Sequence, residues 1–352
     1  MIQFNAETPK IALFRALQLG DMLCAVPAFR ALRHAFPNAE ITLIGLPWAG
    51  SFVKRFNKYI DRHVVFPGYP GLPEQPFSKP DWDEFVMRMQ LEAFDCIVQM
   101  QGNGTIVNDM LQQLQPKQLA GFHRFDCRMN EETFIEYPEE EHEINRHLLL
   151  MQHLGIPDYG TQLEFPITEQ EETGLLQVAP FVQKGEKYII VHPGSRGSDR
   201  RWSPFYFATL ADHCARHGFR VVITGTPEET YVTDYLEALM DQPVTNLAGK
   251  TSLGVVAALI EHAQLLIANC TGVSHIAAAT KTPSIIISMD GEPHRWGPLN
   301  QQLHHVFDWT QKRSFTEVHH KLVEWLDQKE REAYGLSKFS TMQVGEQGFI
   351  IE

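Results

Sequence analysis

One stretch in the C-terminal half constrains the fold more than any other. Residues 265–268 form a short, apolar run of the kind found in buried strands, and residues 284–287, a serine followed by three isoleucines, are predicted to form a second buried strand. Between them a glycine-bearing turn at 269–272 leads into an alanine-rich helical segment, which Thr282-Pro283 ends. A strand, a turn and a helix start place free N–H groups and a positive helix dipole at one point, which suits phosphate. An ordinary strand–helix connection explains the segment equally well.

The N-terminal part of the chain shows the same alternation. An apolar strand at 11–14 is followed by Gly20-Asp21, a helical pattern at 23–36 and a strand at 41–44. This βαβ order predicts a parallel sheet. Because open α/β sheets bind ligands at the carboxyl ends of their strands, Asp21 is a candidate site residue, although a helix cap explains it too.

A second strand end carries a polar, glycine-flanked loop. It follows the apolar segment 94–100 and contains Gln101 and Asn103, which are further candidates for binding a ligand.

The second half repeats this architecture without repeating the sequence. Strands are predicted at 188–191 and 219–224, and helices at 204–217 and 253–262. A chain of 352 residues is longer than a single hydrophobic core usually accommodates, and the composition of 157–166 is that of a linker. We therefore expect an N-terminal domain at 1–165, a C-terminal domain at 166–313, and a C-terminal helix and tail at 314–352.

Composition narrows the class of protein. With 43 acidic and 30 basic residues the net charge is −13, which argues against a nucleic-acid surface. The five cysteines are scattered without a CxxC spacing, which is typical of reduced thiols and offers no zinc site. No signal-peptide pattern or membrane-spanning run is evident, so a cytoplasmic protein is expected.

Two acidic segments are best explained as helix starts. Asp81-Trp82-Asp83 resembles the DxD that holds a metal in some sugar-transferring enzymes, but it directly follows Pro80 at the start of a helical run. The acidic segment 139–143 is interpreted as a solvated helix start. No metal and no cofactor are predicted.

Three loops of the second half share the character of a diphosphate cradle. They span 192–202, 225–229 and 269–275, and each follows a strand. Arg200 or Arg201 would supply charge-assisted hydrogen bonds, and Glu229 could accept from ribose hydroxyls. His275 is explained either as a ligand-binding or as a packed histidine. The candidates in and beside these loops are Ser195, Arg196, Arg200, Arg201, Thr224, Glu229, Cys270, Thr271, Gly272, Val273 and His275.

Two nucleotide-binding signatures are missing from the chain. No GxGxxG follows a strand, and no GxxxxGK[ST] occurs, so a dinucleotide oxidoreductase or a P-loop enzyme is disfavoured.

Four passages together resemble glycosyltransferase family 9, the ADP-heptose:lipopolysaccharide heptosyltransferase type. They are LGDMLCAVPAFRAL (19–32), FDCIVQMQGNGT (94–105), HPGS…RRWSP (192–204) with VVITGTPEE (221–229), and NCTGVSHIAAA (269–279). The resemblance implies a GT-B fold, in which two Rossmann-like domains with parallel sheets face a central cleft and the second domain holds the donor. It also implies inverting sugar transfer without a metal.

The resemblance assigns roles to individual residues. Asp21 matches the general base of the family, and Arg200 stands where many members have a lysine that faces the donor phosphates. The remaining matches are Thr271 and Gly272 at the diphosphate, Glu229 at the ribose and Thr251 near the adenine. Gln101 and Asn103 lie in the domain expected to bind the acceptor and are candidates for contact with it.

One position departs from the family pattern. The usual Asp-Thr-Gly is Cys270-Thr271-Gly272 here, so a carboxylate expected at the donor is replaced by a poorer hydrogen-bond acceptor.

We therefore expect a glycosyltransferase that moves a heptose or related sugar from an ADP-linked or other nucleotide donor to a lipopolysaccharide-type or other saccharide acceptor. The expected partners are this donor and a glycolipid or saccharide, with no nucleic acid, and a peripheral contact with the inner membrane is compatible with them. The alternatives are a nucleotide-sugar epimerase on the same fold and a catalytically silent binding protein. Cys270 favours the silent protein, whereas Asp21 argues against it, since a binder needs no base.

Overall fold

The computed structural model describes residues 2–4, 6–127 and 129–333. Its strands form two six-stranded sheets in which all the strand pairs are parallel. The N-terminal sheet has the order β3-β2-β1-β4-β5-β6. Its strands are β1 (Lys10–Phe14), β2 (Glu40–Gly45), β3 (Arg62–Val65), β4 (Cys96–Gln99), β5 (Leu119–His123) and β6 (Phe134–Glu136).

The C-terminal sheet has the order β12-β11-β10-β7-β8-β9. Its strands are β7 (Tyr188–His192), β8 (Arg220–Ile223), β9 (Val244–Asn246), β10 (Leu265–Asn269), β11 (Ser284–Ser288) and β12 (His304–Asp308). β7 and β10 are buried along their whole length, which explains their near-continuous apolar sequences.

Helices connect the parallel strands and cover the sheets. Those of the N-terminal half are α1 (Leu19–Ala35), α2 (Ala49–Arg55), α3 (Lys79–Glu92), α4 (Val107–Gln112) and α5 (Glu143–His153). Those that follow are α6 (Glu169–Val178), α7 (Pro180–Gln183), α8 (Pro204–Arg216), α9 (Thr230–Leu239), α10 (Leu253–His262), α11 (Gly272–Thr280), α12 (Pro293–Trp296) and α13 (Phe315–Ala333). Two one-turn 3₁₀ helices lie at Ser198–Arg200 and Pro227–Glu229. No helix of the described ranges is both long and apolar enough to cross a bilayer.

Each sheet reverses its strand order once, between β1 and β4 and between β7 and β10. Such a switch point opens a crevice beyond the carboxyl ends of the strands, where α/β proteins bind ligands. The predicted site residues near 21, 101, 195 and 271 follow β1, β4, β7 and β10. The predicted class, two Rossmann-like sheets, is confirmed. The domain limits at residues 165 and 313 fall outside both sheets and stay predictions.

Several local predictions are refined by the structure. α1 begins at Leu19, four residues before the predicted start, and its N-cap residue is Gln18. Asp81 lies in the first turn of α3, where Asp83 pairs with Lys79, so the prediction of a helix start is confirmed. The five cysteines form no disulfide. The unassigned tail from residue 335 lies outside the described residues.

The two halves touch through the starts of α1 and α11. A Cβ on Gly20 would lie 3.0 Å from Cδ2 of His275, and a Cβ on Gly272 would lie 3.1 Å from Cδ2 of Leu19. These two glycines therefore let the helix ends approach closely. Residues next to Asp21 thus meet the turn at the end of β10.

Candidate active site

Asp21 is the third residue of α1, and its side chain is 24 % exposed. The helix is capped by Gln18 without a side-chain hydrogen bond, so Asp21 does not serve as the N-cap. Its Oδ1 lies 3.9 Å from Nη2 of Arg15, and its backbone carbonyl accepts from Nε of Arg15 at 3.0 Å. The carboxylate is thus held beside a buried cation while it keeps access to solvent.

The surroundings of Asp21 make it a stronger base than a surface aspartate. Burial raises the pKa of its carboxyl group, Arg15 opposes that shift, and the nearby Glu143 adds to it. A carboxylate with a raised pKa accepts a proton more readily.

Arg200 ends the 3₁₀ turn after β7 and forms an ion pair with Asp290, which follows β11. Arg200 is 45 % exposed and Asp290 is 15 % exposed, so the pair lies at the rim of the crevice. Arg196 is exposed, and no ion-pair partner for it occurs among the described residues. Arg196 can therefore turn toward a ligand directly, whereas Arg200 would have to leave Asp290 to do so.

Other predicted residues hold the loop after β7 in shape. Nε of Arg201 donates to the carbonyl of Ser195 at 2.9 Å, and its guanidinium also contacts Tyr231. Thr224 is fully buried, and its Oγ1 lies 3.0 Å from Nδ1 of His192. The structure gives these side chains internal partners, and their predicted contacts with a donor stay predictions.

Glu229 and Thr251 lie at the ends of the next two strands. Oε2 of Glu229 accepts from the backbone N–H of Thr226 at 2.9 Å, and the carboxylate packs directly on Gly194. The absence of a side chain at Gly194 makes that approach feasible. The buried Oγ1 of Thr251 has no hydrogen-bond partner among the described residues, and its predicted place near the adenine stays a prediction.

The turn after β10 combines a free helix N-terminus with a shielded thiol. Thr271 occupies the N-cap position of α11 without a side-chain cap, so the first N–H groups of the helix are available to an anion. Burial, followed by Asp290, raises the pKa of the half-buried Cys270 to about 12, so it stays a neutral thiol. Val273 is buried in the first turn of α11.

His275 faces the first half of the molecule rather than open space. It is 4 % exposed, and its Nδ1 lies 3.6 Å from Sγ of Cys24. Burial, with a contribution from His142, lowers the pKa of His275 to about 4, so its ring is neutral.

The predicted acceptor-side residues follow β4. Oε1 of Gln101 accepts from the backbone N–H of Ala16 at 2.7 Å, which fixes the loop after β1. Oδ1 of Asn103 accepts from Thr105, and the residue is half-exposed. Asn103 is therefore the more accessible of the two.

The predicted solvated helix start at 139–143 is wrong at its last residue. Glu143 is 3 % exposed, and its carboxylate meets three arginines, Arg15, Arg146 and Arg295. Burial alone would raise the pKa of Glu143, but His147 and these cations outweigh it and hold the pKa far below its usual range. The sequence gives little sign of this cluster, since Arg15 and Arg295 lie 128 and 152 positions from Glu143.

A second missed residue is Asn269. Its buried side chain accepts from the backbone N–H of Trp202 at 2.9 Å and donates to the carbonyl of Pro193 at 2.8 Å. It joins the loops after β7 and β10. A polar residue that ends an apolar strand at a switch point was the available signal.

Comparison with known proteins agrees with this geometry. The profile of glycosyltransferase family 9 (heptosyltransferase) matches residues 84–323, which is more than half of the chain. The chain belongs to glycosyltransferase family 9. It is therefore a glycosyltransferase, and its two parallel sheets form the GT-B fold.

Relatives and solved structures cover most of this family 9 glycosyltransferase. Lipopolysaccharide heptosyltransferase 3 of Escherichia coli K12 is 22 % identical over 81 % of the chain and 83 % of its own length. The family 9 glycosyltransferase structure from Veillonella parvula has a TM-score of 0.72 at 19 % identity and covers 94 % of this chain and 97 % of its own. The structure of E. coli ADP-heptose LPS heptosyltransferase II has a TM-score of 0.69 at 19 % identity, with 91 % and 99 % covered.

Proposed function

We propose that this protein transfers a heptose or related sugar from an ADP-linked donor to a saccharide acceptor of the lipopolysaccharide-core type, with inversion and without a metal. Similarity to a lipopolysaccharide heptosyltransferase and to an ADP-heptose LPS heptosyltransferase, both of E. coli, supports the acceptor and donor classes. One observation carries the proposal. The start of α1, which contains Asp21, lies against the start of α11, and the loop after β7 that contains Arg200 lies beside them.

The proposed reaction is a single displacement. Asp21 accepts the proton of the acceptor hydroxyl group, while the oxygen of that hydroxyl group attacks the anomeric carbon of the donor sugar. The bond from that carbon to the diphosphate breaks on the opposite face, so the configuration inverts and ADP leaves. Arg200, Arg196 and the N–H groups of α11 would stabilise the charge on the leaving diphosphate.

The proposal of metal independence rests on the alternative use of the acidic residues. Asp83 lies 2.5 Å from Nζ of Lys79 within the start of α3, an arrangement that explains the DxD-like segment without a metal ion. The arginines of the Arg200 loop supply positive charge where a metal would otherwise be needed.

Arg200→Ala should weaken ADP binding roughly 10–100-fold, since a charge-assisted hydrogen bond contributes about 1.5–3 kcal/mol. Adenosine lacks the diphosphate, so its affinity should change little. Isothermal titration of both ligands against the wild type and the variant measures the difference.

A matched control is Arg216→Ala, which removes an exposed arginine that pairs with Asp241. Arg216 is the last residue of α8, whereas Arg200 precedes the first. This variant should bind ADP like the wild type. An equal loss of ADP and adenosine affinity in Arg200→Ala would show that Arg200 does not face the phosphates.

A further inference from the structure

A buried ionic cluster connects the second half of the chain to Asp21. Nη2 of Arg15 lies 2.9 Å from Oε1 of Glu143 and 3.9 Å from Oδ1 of Asp21, so one guanidinium group serves both carboxylates. Oε2 of Glu143 accepts a hydrogen bond from Nε of Arg295 at 3.1 Å. Arg295 belongs to α12, which follows β11 of the C-terminal sheet, whereas Arg15 and Glu143 belong to the N-terminal half.

The segment around Arg295 has a second attachment to the same helix start. Nδ1 of His142, the N-cap of α5, accepts from the N–H of Ile144, so its Nε2 carries the proton and donates to the carbonyl of Gly297 at 2.8 Å. Residues 295–297 are thus fixed on α5 by two polar contacts that span the two halves. Separation of the halves would break both contacts.

We propose that Arg295 is a positioning residue that tunes Asp21 from the second half of the chain, acting through Glu143 and Arg15. The proposal rests on the proposed function, in which Asp21 is the general base. In the arrangement observed here Arg295 neutralises part of the charge of Glu143. The Arg15 guanidinium is therefore less strongly held by Glu143 and interacts more strongly with Asp21. Without Arg295, Glu143 would attract Arg15 more strongly, so the interaction of Arg15 with Asp21 would weaken. The surroundings of Asp21 would also lose one positive charge.

Apart from acids and arginines, the ionisable groups around Asp21 are neutral near pH 7. Burial lowers the pKa of His142, and it lowers the pKa values of His147 and His275 to about 4. Burial also raises the pKa values of Cys24 and Tyr137, so both keep their protons. The charged groups are therefore three acids and three arginines, namely Asp21, Glu143, Glu292, Arg15, Arg146 and Arg295.

Two substitutions should move the pKa of Asp21 in opposite directions. Arg295→Gln removes a positive charge, so the Asp21 pKa should rise by roughly 0.3–1 unit. Glu143→Gln removes a negative charge and releases Arg15 to Asp21, so the same pKa should fall. Arg295→Lys keeps the charge and should titrate close to the wild type. A merely structural role for the cluster would not produce opposite shifts.

The titration is read directly by carbon NMR of protein labelled at the aspartate carboxyl carbon. The Asp21 signal is identified by its absence from Asp21→Asn. This readout requires no activity, so it decides the coupling even if the wild type transfers no sugar, a result that would contradict only the proposed function. In an active enzyme, the acidic limb of the pH profile of kcat should move with the same signs.

The proposal is overturned if Arg295→Gln leaves the Asp21 titration unchanged, or if Arg295→Lys shifts it as much as Arg295→Gln. It is also overturned if Glu143→Gln and Arg295→Gln move it in the same direction. Should Glu143→Gln fail to fold, the pair of Arg295 variants decides the matter, since the Arg295 side chain is 26 % exposed and its replacement removes less packing.

Discussion

Asp21→Asn should fold normally and bind ADP like the wild type, yet lose roughly 10²–10⁴-fold in the rate of sugar transfer, the usual contribution of a well-placed general base. The substitution keeps the shape of the side chain and removes only the proton acceptor. α1 should persist, because its N-cap residue is Gln18 and because an Asn side chain can accept the same backbone N–H groups at the helix start as Asp21. Single-turnover transfer with pre-bound donor measures this rate without interference from product release.

A matched control is Asp109→Asn, which replaces an exposed aspartate in the first turn of α4. It should leave the transfer rate and the melting temperature near the wild-type values. Transfer by Asp21→Asn within a few-fold of the wild type would refute the role of Asp21 as a base. A large drop in melting temperature with little change in rate would indicate a structural role instead.

Arg15→Met should cost about 3–5 kcal/mol of unfolding free energy, the usual penalty for breaking a buried ion pair. Arg15 is 1 % exposed and donates to the carbonyls of Asp21 and Met100 as well as to Glu143. All three acceptors lose that partner in the variant, and two of them, Met100 and Glu143, are buried, so water replaces the lost donor poorly there. Urea unfolding followed by circular dichroism measures the change.

The comparison for Arg15→Met is Arg124→Met, which removes an exposed arginine that pairs with Asp126 two residues away. Exposed pairs contribute little to stability, so this variant should unfold at nearly the wild-type urea concentration. If the two variants unfolded at the same urea concentration, the buried cluster around Glu143 would not stabilise the fold as we infer.

Much of the architecture could be predicted from local patterns. The buried strands β7 and β10 are continuous apolar runs, and the turn after each carries glycine and polar residues. The apolar runs and the turn residues that end them therefore locate the strands. The switch points between these strands then locate the crevice. The short strands β6 and β9, of three residues each, lack enough sequence for a pattern and were missed.

The candidate site was less predictable, because its electrostatics depend on distant residues. The acidic run that ends at Glu143 is typical of a solvated helix start, and apart from Arg146, three residues away, nothing nearby in the sequence indicates its arginine partners. Arg15 and Arg295 lie 128 and 152 positions from Glu143 along the chain, and only the tertiary structure brings them together. Likewise, the pairing of Arg200 with Asp290 joins loops 90 positions apart.

The most direct test of the account is a transfer assay with the purified protein, ADP-heptose and a lipopolysaccharide core acceptor, in the presence of a chelator. We expect the acceptor to gain one heptose by mass spectrometry, with one ADP released for each heptose transferred and with inversion at the anomeric carbon by NMR. The chelator should leave the rate unchanged. Donor hydrolysis or epimerisation without acceptor gain, donor binding without turnover, or activity that returns only with added magnesium or manganese would contradict this account.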